Sequence, residues 1–561
     1  ILIVRFFLKI NSNKKIQSNS TSEKEQKMKD DLLKNNSRKL TQGQMGRREF
    51  IVSAMAAGLT LPSALSLVKK AEAATPKKGG KLILGYGYGS TTDSLDPGTS
   101  ENGMTQGIHK AYGNLLFDTE NTGELKGDLV ESHEGSNGAK TWALNLRRGV
   151  EFHNGKTLDA DDVITTLNYH RGESSKSAAK GLLSGISDIR KGSKTQVIFE
   201  LSSGNGDFPY LLSDYHLVIM PAKGGNVDPL AGMGTGPYVL QSFEPGVKGT
   251  FVKNANYWRS DRGHFDEVEI LTILDTTARQ NAVMNGEVHA VNEVDPKFVS
   301  LMKRNPGIDI LQTTGTKHYT FPMRLDTKPF DNYDLRMALK LSVKRQELVD
   351  KILLGFGALG NDIPVNGAMP FHNDTIAQRE YDVDRAAFHY KKSGHSGTIP
   401  LNVSDAAFPG AVDAAQLIAA SAKDAGINIE VIREPKDGYW SNVWNKKGWC
   451  ACYWGGRPTP DWMFKAAYTK DTEWNDTAWR GTKASKRFNE LVVAAASETD
   501  QAVRRTKYFE AQELLHDDGG VILPMFANYI MAHTKKLAHE PNVAANWEMD
   551  GNRLAERWWF A

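Results

Sequence analysis

The chain is 561 residues long, 40% apolar and 24% charged, which is ordinary for a soluble globular protein and more than one hydrophobic core supports. Its net charge of +3 is unevenly placed: residues 1–73 hold 14 Lys/Arg against 6 Asp/Glu, or +8, so residues 74–561 sum to −5. A mildly acidic body without basic runs argues against nucleic acid as a partner.

Residues 1–44 are polar and rich in Asn, Lys and Ser, and are expected to be a disordered or mis-assigned leader, with the start at Met28 or Met45. Arg47-Arg48-Glu49-Phe50 opens an apolar stretch to Val68, followed by Ala71-Glu72-Ala73. That order of charged, apolar and small residues predicts a twin-arginine export signal over 45–73, with cleavage after Ala73. A membrane anchor is the alternative, weakened by Pro62 and by dilution with Ala, Gly and Ser. No cysteine lies at the cleavage site, so a lipid anchor there is not expected. The mature protein is expected in the periplasm.

Lys81–Tyr88 reads as a strand, and Thr141–Leu146 alternates as another. Asp159 is predicted to cap a helix carrying Val163, Ile164 and Leu167, with Asp161 and Asp162 favouring its N-terminal dipole. Strands follow at 237–240 and 268–274. Near residue 315 the pattern turns helical, with helices expected from Asp334 and from Gln346 to Leu354. Leu401–Val403, an alanine-rich helix at 411–425 and Ile427–Ile432 imply a parallel crossover. Helical patterning returns at 484–497 and 502–516, and the last thirty residues read as extended. The fold class is α/β in two lobes.

Gly355-Phe356-Gly357-Ala358-Leu359-Gly360 has the spacing of a dinucleotide fingerprint but follows a helix rather than a strand, so it is read as a helix cap and mobile loop. The fourteen histidines show no zinc spacing, and there is no G-x-S-x-G elbow or P-loop, so neither a cofactor nor an enzyme is expected. Cys450 and Cys452, the only cysteines, are read as small buried hydrophobes. Seven of twelve tryptophans fall at 440, 444, 449, 454, 462, 474 and 479, around Trp454-Gly455-Gly456-Arg457-Pro458. Most are expected in the core, and at least one or two on the wall of a small-molecule pocket.

Leu146–Val163, with Phe152-His153-Asn154-Gly155 at its centre, resembles the signature of extracytoplasmic solute-binding proteins of the oligopeptide, dipeptide and nickel type. Gly234–Phe243, Asn256-Tyr257-Trp258 and Asp334–Ile352 resemble the family's next blocks in order, so the resemblance spans roughly 78–560. It implies a two-lobed clamp with two hinge crossings: lobe I from 74–315 plus 530–561, lobe II from 316–529. It implies a monomer that closes on a small solute and delivers it to an ABC permease in the inner membrane. A secreted hydrolase or metal-dependent enzyme, or a chemoreceptor partner or chaperone on the same scaffold, are the alternatives. Peptide-binding members carry an Asp in the tryptophan-rich region that holds the ligand's ammonium, whereas this chain has Arg457 at about that place. A guanidinium fits a carboxylate instead, so an acidic or zwitterionic solute is expected, unless Arg457 pairs with Asp461. Trp454, Asn361, Asp362, Tyr88, Asn102 and Tyr439, with Trp440, complete the candidate binding residues. A metal chelate would need few protein ligands and stays open.

Overall fold

The computed structural model describes residues 35–36, 39, 45, 47–56, 76–498 and 500–561. Arg47–Ala56 is helical; the expectations for residues 1–34 and for the apolar stretch and cleavage site at 57–73 lie outside the described residues. No helix among the described residues is long and apolar enough to cross a membrane. The chain divides into two units. In the smaller (1–78, 536–540 and 559–561), Leu537–Ala538 pairs antiparallel with Trp559–Phe560, and Lys77 bridges Phe560.

The larger unit, 79–535 with 541–558, is built on a seven-stranded mixed sheet. At its heart Lys81–Tyr86 runs parallel to Glu267–Thr272 and to Ala290–Val291. The alternation of Leu82, Leu84 and Tyr86 sends those side chains into the core, where each is at most 1% exposed. The outer strands are Tyr238–Glu244 and Lys248–Lys253 on one side, and Tyr529–Thr534 and Ile308–Thr313 on the other. A four-stranded sheet of Gly357–Leu359, Val521–Ala527, His318–Pro322 and Cys452–Trp454 forms a second centre. All seven residues of Val521–Ala527 are buried, as befits a central strand without polar alternation. The chain passes from the first sheet to the second between Thr313 and His318, and returns between Ala527 and Tyr529.

Several local readings hold. Asp159 accepts from the Asp161 and Asp162 N–H groups and Asp162 answers in a capping box, starting the helix Ala160–Tyr169. Ile399–Val403 and Ile429–Arg433 pair in parallel across the helix Ala411–Lys423. Cys450 and Cys452 are free and buried.

Three readings need correction. The second helix of the 334–354 block lasts only from Arg345 to Leu348 before widening to a π-helical turn, Val349–Leu353, closed by Leu354 in the left-handed region. The glycine-rich stretch is a strand, not a mobile loop: Gly357–Leu359 pairs with Met525–Ala527. Its glycines serve contact rather than freedom, because a Cβ at Gly357 would overlap Phe526 O and one at Gly360 would overlap Leu523 O. The last thirty residues contain short helices at Glu548–Asn552 and Leu554–Arg557, and Met549, Asp550, Gly551 and Asn552 all have positive φ. Nothing in a pattern of apolar residues announces such a left-handed turn.

Ion pairs hold that turn. Arg553, 1% exposed, reaches Asp118 at 2.9 Å, Asp128 at 3.0 Å and Glu556, while Arg557 reaches Asp118 at 2.8 Å and Asp550 at 3.1 Å. Burial alone would raise the Glu556 carboxyl, but Arg553 overcomes it and holds the pKa at about 2. Replacing Arg553 by Ala would leave the buried Asp128 without its cation and weaken the pairing of Asp118 and Glu556, so it should destabilise the protein by about 3–5 kcal/mol in denaturant unfolding.

Candidate functional site

Between Trp440–Trp474 on one side and residues 101–215 with 529–548 on the other lies a cavity with about 480 Å³ of empty space. Trp440, Trp444, Tyr453, Trp454 and Trp474 form one wall; Tyr215, Tyr529 and Trp547 close the other. The polar lining consists of Glu101, Gln106, Arg457 and Glu548, with Gly455.

The tryptophan wall is a set of edge-to-face contacts. Trp444, Trp454 and Trp474 lie 5.4–6.1 Å apart, and Trp440 meets Trp444 at 5.8 Å and Tyr453 at 5.4 Å. Behind it sits Asp476, 2% exposed, whose Oδ2 accepts the indole N–H of Trp444 at 3.3 Å and of Trp454 at 3.2 Å. Burial raises the Asp476 carboxyl to about 6 despite those two donors. Trp449, Trp462 and Trp479 are fully buried and only brace the fold. Four of the seven clustered tryptophans therefore line the cavity.

Arg457 is 2% exposed. Its guanidinium lies over Tyr215, Trp462 and Trp547 at 5.4–5.7 Å, and Nη1 donates to Gly455 O at 3.1 Å. Its Nε has no partner among the described residues. The backbone around it is pinned from both sheet crossings. Thr316 Oγ1 accepts the Arg457 N–H at 3.0 Å, and the Tyr529 hydroxyl accepts the Gly456 N–H at 3.0 Å. Glycine is required in that loop: a Cβ at Gly455 would lie 2.6 Å from Trp547 Cδ1, and one at Gly456 2.6 Å from Thr316 Oγ1.

Arg457 does not pair with Asp461. Asp461 binds Lys465 at 2.9 Å and Asn205 at 3.2 Å, away from the cavity lining. Asp214 is occupied too, accepting from His216 Nδ1 at 2.5 Å and Trp462 Nε1 at 3.0 Å. Burial would lift Asp214, but His216 and the Arg457 charge hold it down at about 2.

The other expected residues serve the fold. Asp362 is fully buried between Arg345 at 2.8 Å and Arg379 at 2.9 Å, and Asn361 binds the 377–379 backbone. Asn102 caps the helix Gly103–Tyr112. The Tyr439 hydroxyl donates to Ala451 O, and its ring braces Trp440. Tyr88 stands one layer back, stacked on Tyr453 at 5.4 Å. Of the candidates, the structure brings Arg457, Trp454 and Trp440 together at the cavity.

Sequence reasoning missed the acidic partners. Glu101 directly precedes the cap Asn102, and burial, with nearby Asp93, raises its carboxyl to about 7. Glu548 is 7% exposed, and its Oε2 has no partner among the described residues. A Cβ at Gly103 would overlap Glu548 Oε1, so the helix start is a glycine where the carboxylate packs. The two glutamates lie 447 positions apart in sequence, and only the left-handed turn presents the second.

Outside the lining, residues 91, 92 and 274 are tied to residues 436–441. Asp437 accepts from the Thr91 N–H at 3.1 Å, Thr92 and Ser441 hydroxyls meet at 2.8 Å, and Lys436 donates to Leu274 O at 2.8 Å.

The profile of the bacterial extracellular solute-binding proteins, family 5 (middle part), matches residues 124–476. The dipeptide-binding protein of Escherichia coli K12 is 23% identical over 454 residues, covering 73% of this chain and 83% of the relative. The glutathione-binding protein of Shigella dysenteriae is 22% identical, covering 80% and 90%. Among solved structures, the periplasmic binding protein AgaA of A. tumefaciens R10 with agropinic acid superposes with a TM-score of 0.78 at 20% identity, covering 86% of this chain and 99% of that one. The Helicobacter pylori protein DppA with a peptide gives 0.77 at 20% identity, covering 88% and 100%.

Glu548 makes the site sensitive to pH. Burial raises its carboxyl from 4.5 to about 8, with Glu293 adding to the shift and Lys317 and Arg279 opposing it. A carboxyl raised in the folded state contributes stability that is complete below its unfolded pKa and is lost as pH rises through the folded one. The melting temperature should therefore fall between about pH 5 and pH 8, and Glu548→Gln should flatten that decline and be the more stable form at pH 8, read by thermal unfolding.

Proposed function

The chain belongs to the bacterial extracellular solute-binding proteins of family 5, and from that premise we propose that it captures a small zwitterionic solute and hands it to an ABC import permease by clamp closure. As a member of that family it is a transport receptor rather than an enzyme. The observation that carries the ligand reading is one cavity lined by the Arg457 guanidinium and by the carboxyls of Glu101 and Glu548, none of which forms a direct ion pair among the described residues. Burial raises both glutamate carboxyls, to about 7 and about 8, and a solute with a carboxylate at one end and a positive group at the other would meet Arg457 with the first and favour the ionised form of a glutamate with the second. Arg457 offers planar donors to the carboxylate; Glu101 and Glu548 receive the cation. The relatives' cargoes, dipeptides, glutathione and agropinic acid, fall in the same range of small polar molecules.

In this reading lobe I comprises 74–315 with 530–561 and lobe II 316–529. The segments at 314–317 and 528 are the hinge. The bonds of Asp437 and Ser441 to Thr91 and Thr92 join the two lobes so defined and belong to the closed form. Arg47-Arg48 directs export by the twin-arginine route without lipid attachment, which supports a periplasmic location.

A thermal-shift panel of dipeptides, opines, amino-acid derivatives, sugars and metal chelates tests the proposal, with product analysis on every stabilising compound. Zwitterions should raise the melting temperature unchanged. Arg457→Ala should weaken the best of them by about tenfold or more, the range of a lost charge-assisted bond. Equal affinity in that variant would remove the carboxylate from Arg457.

A further inference from the structure

The cavity wall specifies the positive group more narrowly. Resting on the zwitterion reading above, we infer that the cargo is a betaine-type solute: a methylated ammonium enclosed by the aromatic wall, joined to a carboxylate that meets Arg457.

A primary ammonium carries three N–H bonds and needs an acceptor for each when desolvated. The lining has few to spare. Gln106 Oε1 already accepts from Asn552 at 2.8 Å, and Gly455 O accepts from Arg457. The Tyr529 hydroxyl accepts from Gly456 and donates to Asn546 O at 3.1 Å. Glu101, Glu548 and the hydroxyls of Tyr215 and Tyr453 remain, in a lining with eight aromatic side chains. A methylated ammonium donates no hydrogen bonds, and ring faces attract it through their quadrupoles, most strongly away from water. Two of the five lining tryptophans also have their indole N–H groups engaged behind the wall. Asp476 ties back the indole N–H groups of Trp444 and Trp454, so those rings meet the cavity without them.

Two further features agree. The Arg457 guanidinium already rests over Tyr215 and Trp547, so rings of this cavity hold one positive group in place. Glu548 is fixed by residues in an unfavourable conformation, Met549 at φ 48° and Asp550 at φ 58°. Such backbone persists only where the surroundings enforce it, commonly at ligand sites. It sets a carboxylate among rings, the arrangement that attracts a cation unable to form hydrogen bonds.

The test is titration of the purified full chain with glycine betaine and carnitine, against glycine and γ-aminobutyrate as unmethylated counterparts and choline as a cation without carboxylate. Tryptophan fluorescence and melting temperature are read together. The expected result is binding of a methylated zwitterion at least about tenfold tighter than its unmethylated counterpart and than choline. Glu548→Gln and Glu101→Gln, near-isosteric changes whose folding the melting curve verifies, should each weaken it by about tenfold. Unmethylated zwitterions or dipeptides binding as tightly would overturn the betaine assignment and leave the zwitterion reading standing. Binding of only neutral or purely anionic solutes would overturn both. Unchanged affinity in both glutamine variants would overturn the placement of the cation.

Discussion

The buried pairing of Arg553 and Arg557 with Asp118, Asp128, Asp550 and Glu556 is the constraint on which the site depends. It fastens a segment from the end of the chain to the strand Phe117–Thr119 and its neighbours, more than four hundred positions earlier. That attachment presents Trp547 and Glu548 to the cavity and holds the left-handed turn after them. Charges so deeply buried are unfavourable singly and tolerable only together, so the cluster acts as a unit: each carboxylate needs its guanidinium, and each guanidinium several acceptors.

The cavity shows the same division between support and contact. Asp476 lines nothing itself, yet it orients two tryptophans that do. Gly455 and Gly456 contribute no side chain, and for that reason Arg457 can approach Trp547 and Thr316. The aromatic wall then supplies area and π-faces, while four side chains supply charge and hydrogen bonds. A small solute entering such a space meets many weakly directional contacts and a few strongly directional ones, which is how orientation is set without a large interface.

Much of this was legible in the sequence, and the parts that were not share a cause. Strand Thr141–Leu146, the Asp159 capping box and the crossover through Ala411–Lys423 follow from alternation, capping chemistry and helical period, all of which act over short distances. Arg457 and Trp454 stood out because the unusual composition around them is itself local. Asp362, Asn361, Asn102 and Tyr439 were reasonable polar candidates, but their partners, such as Arg345 and Arg379 for Asp362, come from elsewhere in the fold and commit them to structure. Glu101 and Glu548 were invisible for the converse reason. Neither has a local motif, and their meaning arises only where distant segments converge on the same empty space. The glycine-rich stretch at 355–360 misled because glycine signals both freedom and tight contact, and the neighbouring strand Val521–Ala527 decides which.

The loop bearing Arg457 is bonded to Thr316 and Tyr529, beside the two places where the chain crosses between the seven-stranded and four-stranded sheets. Any turning of one sheet against the other must be absorbed in those crossings, and points near a pivot travel least. In the proposed clamp a guanidinium so placed would shift little as the sheets turn, and a carboxylate held there would keep its position while the rest of the solute is enclosed.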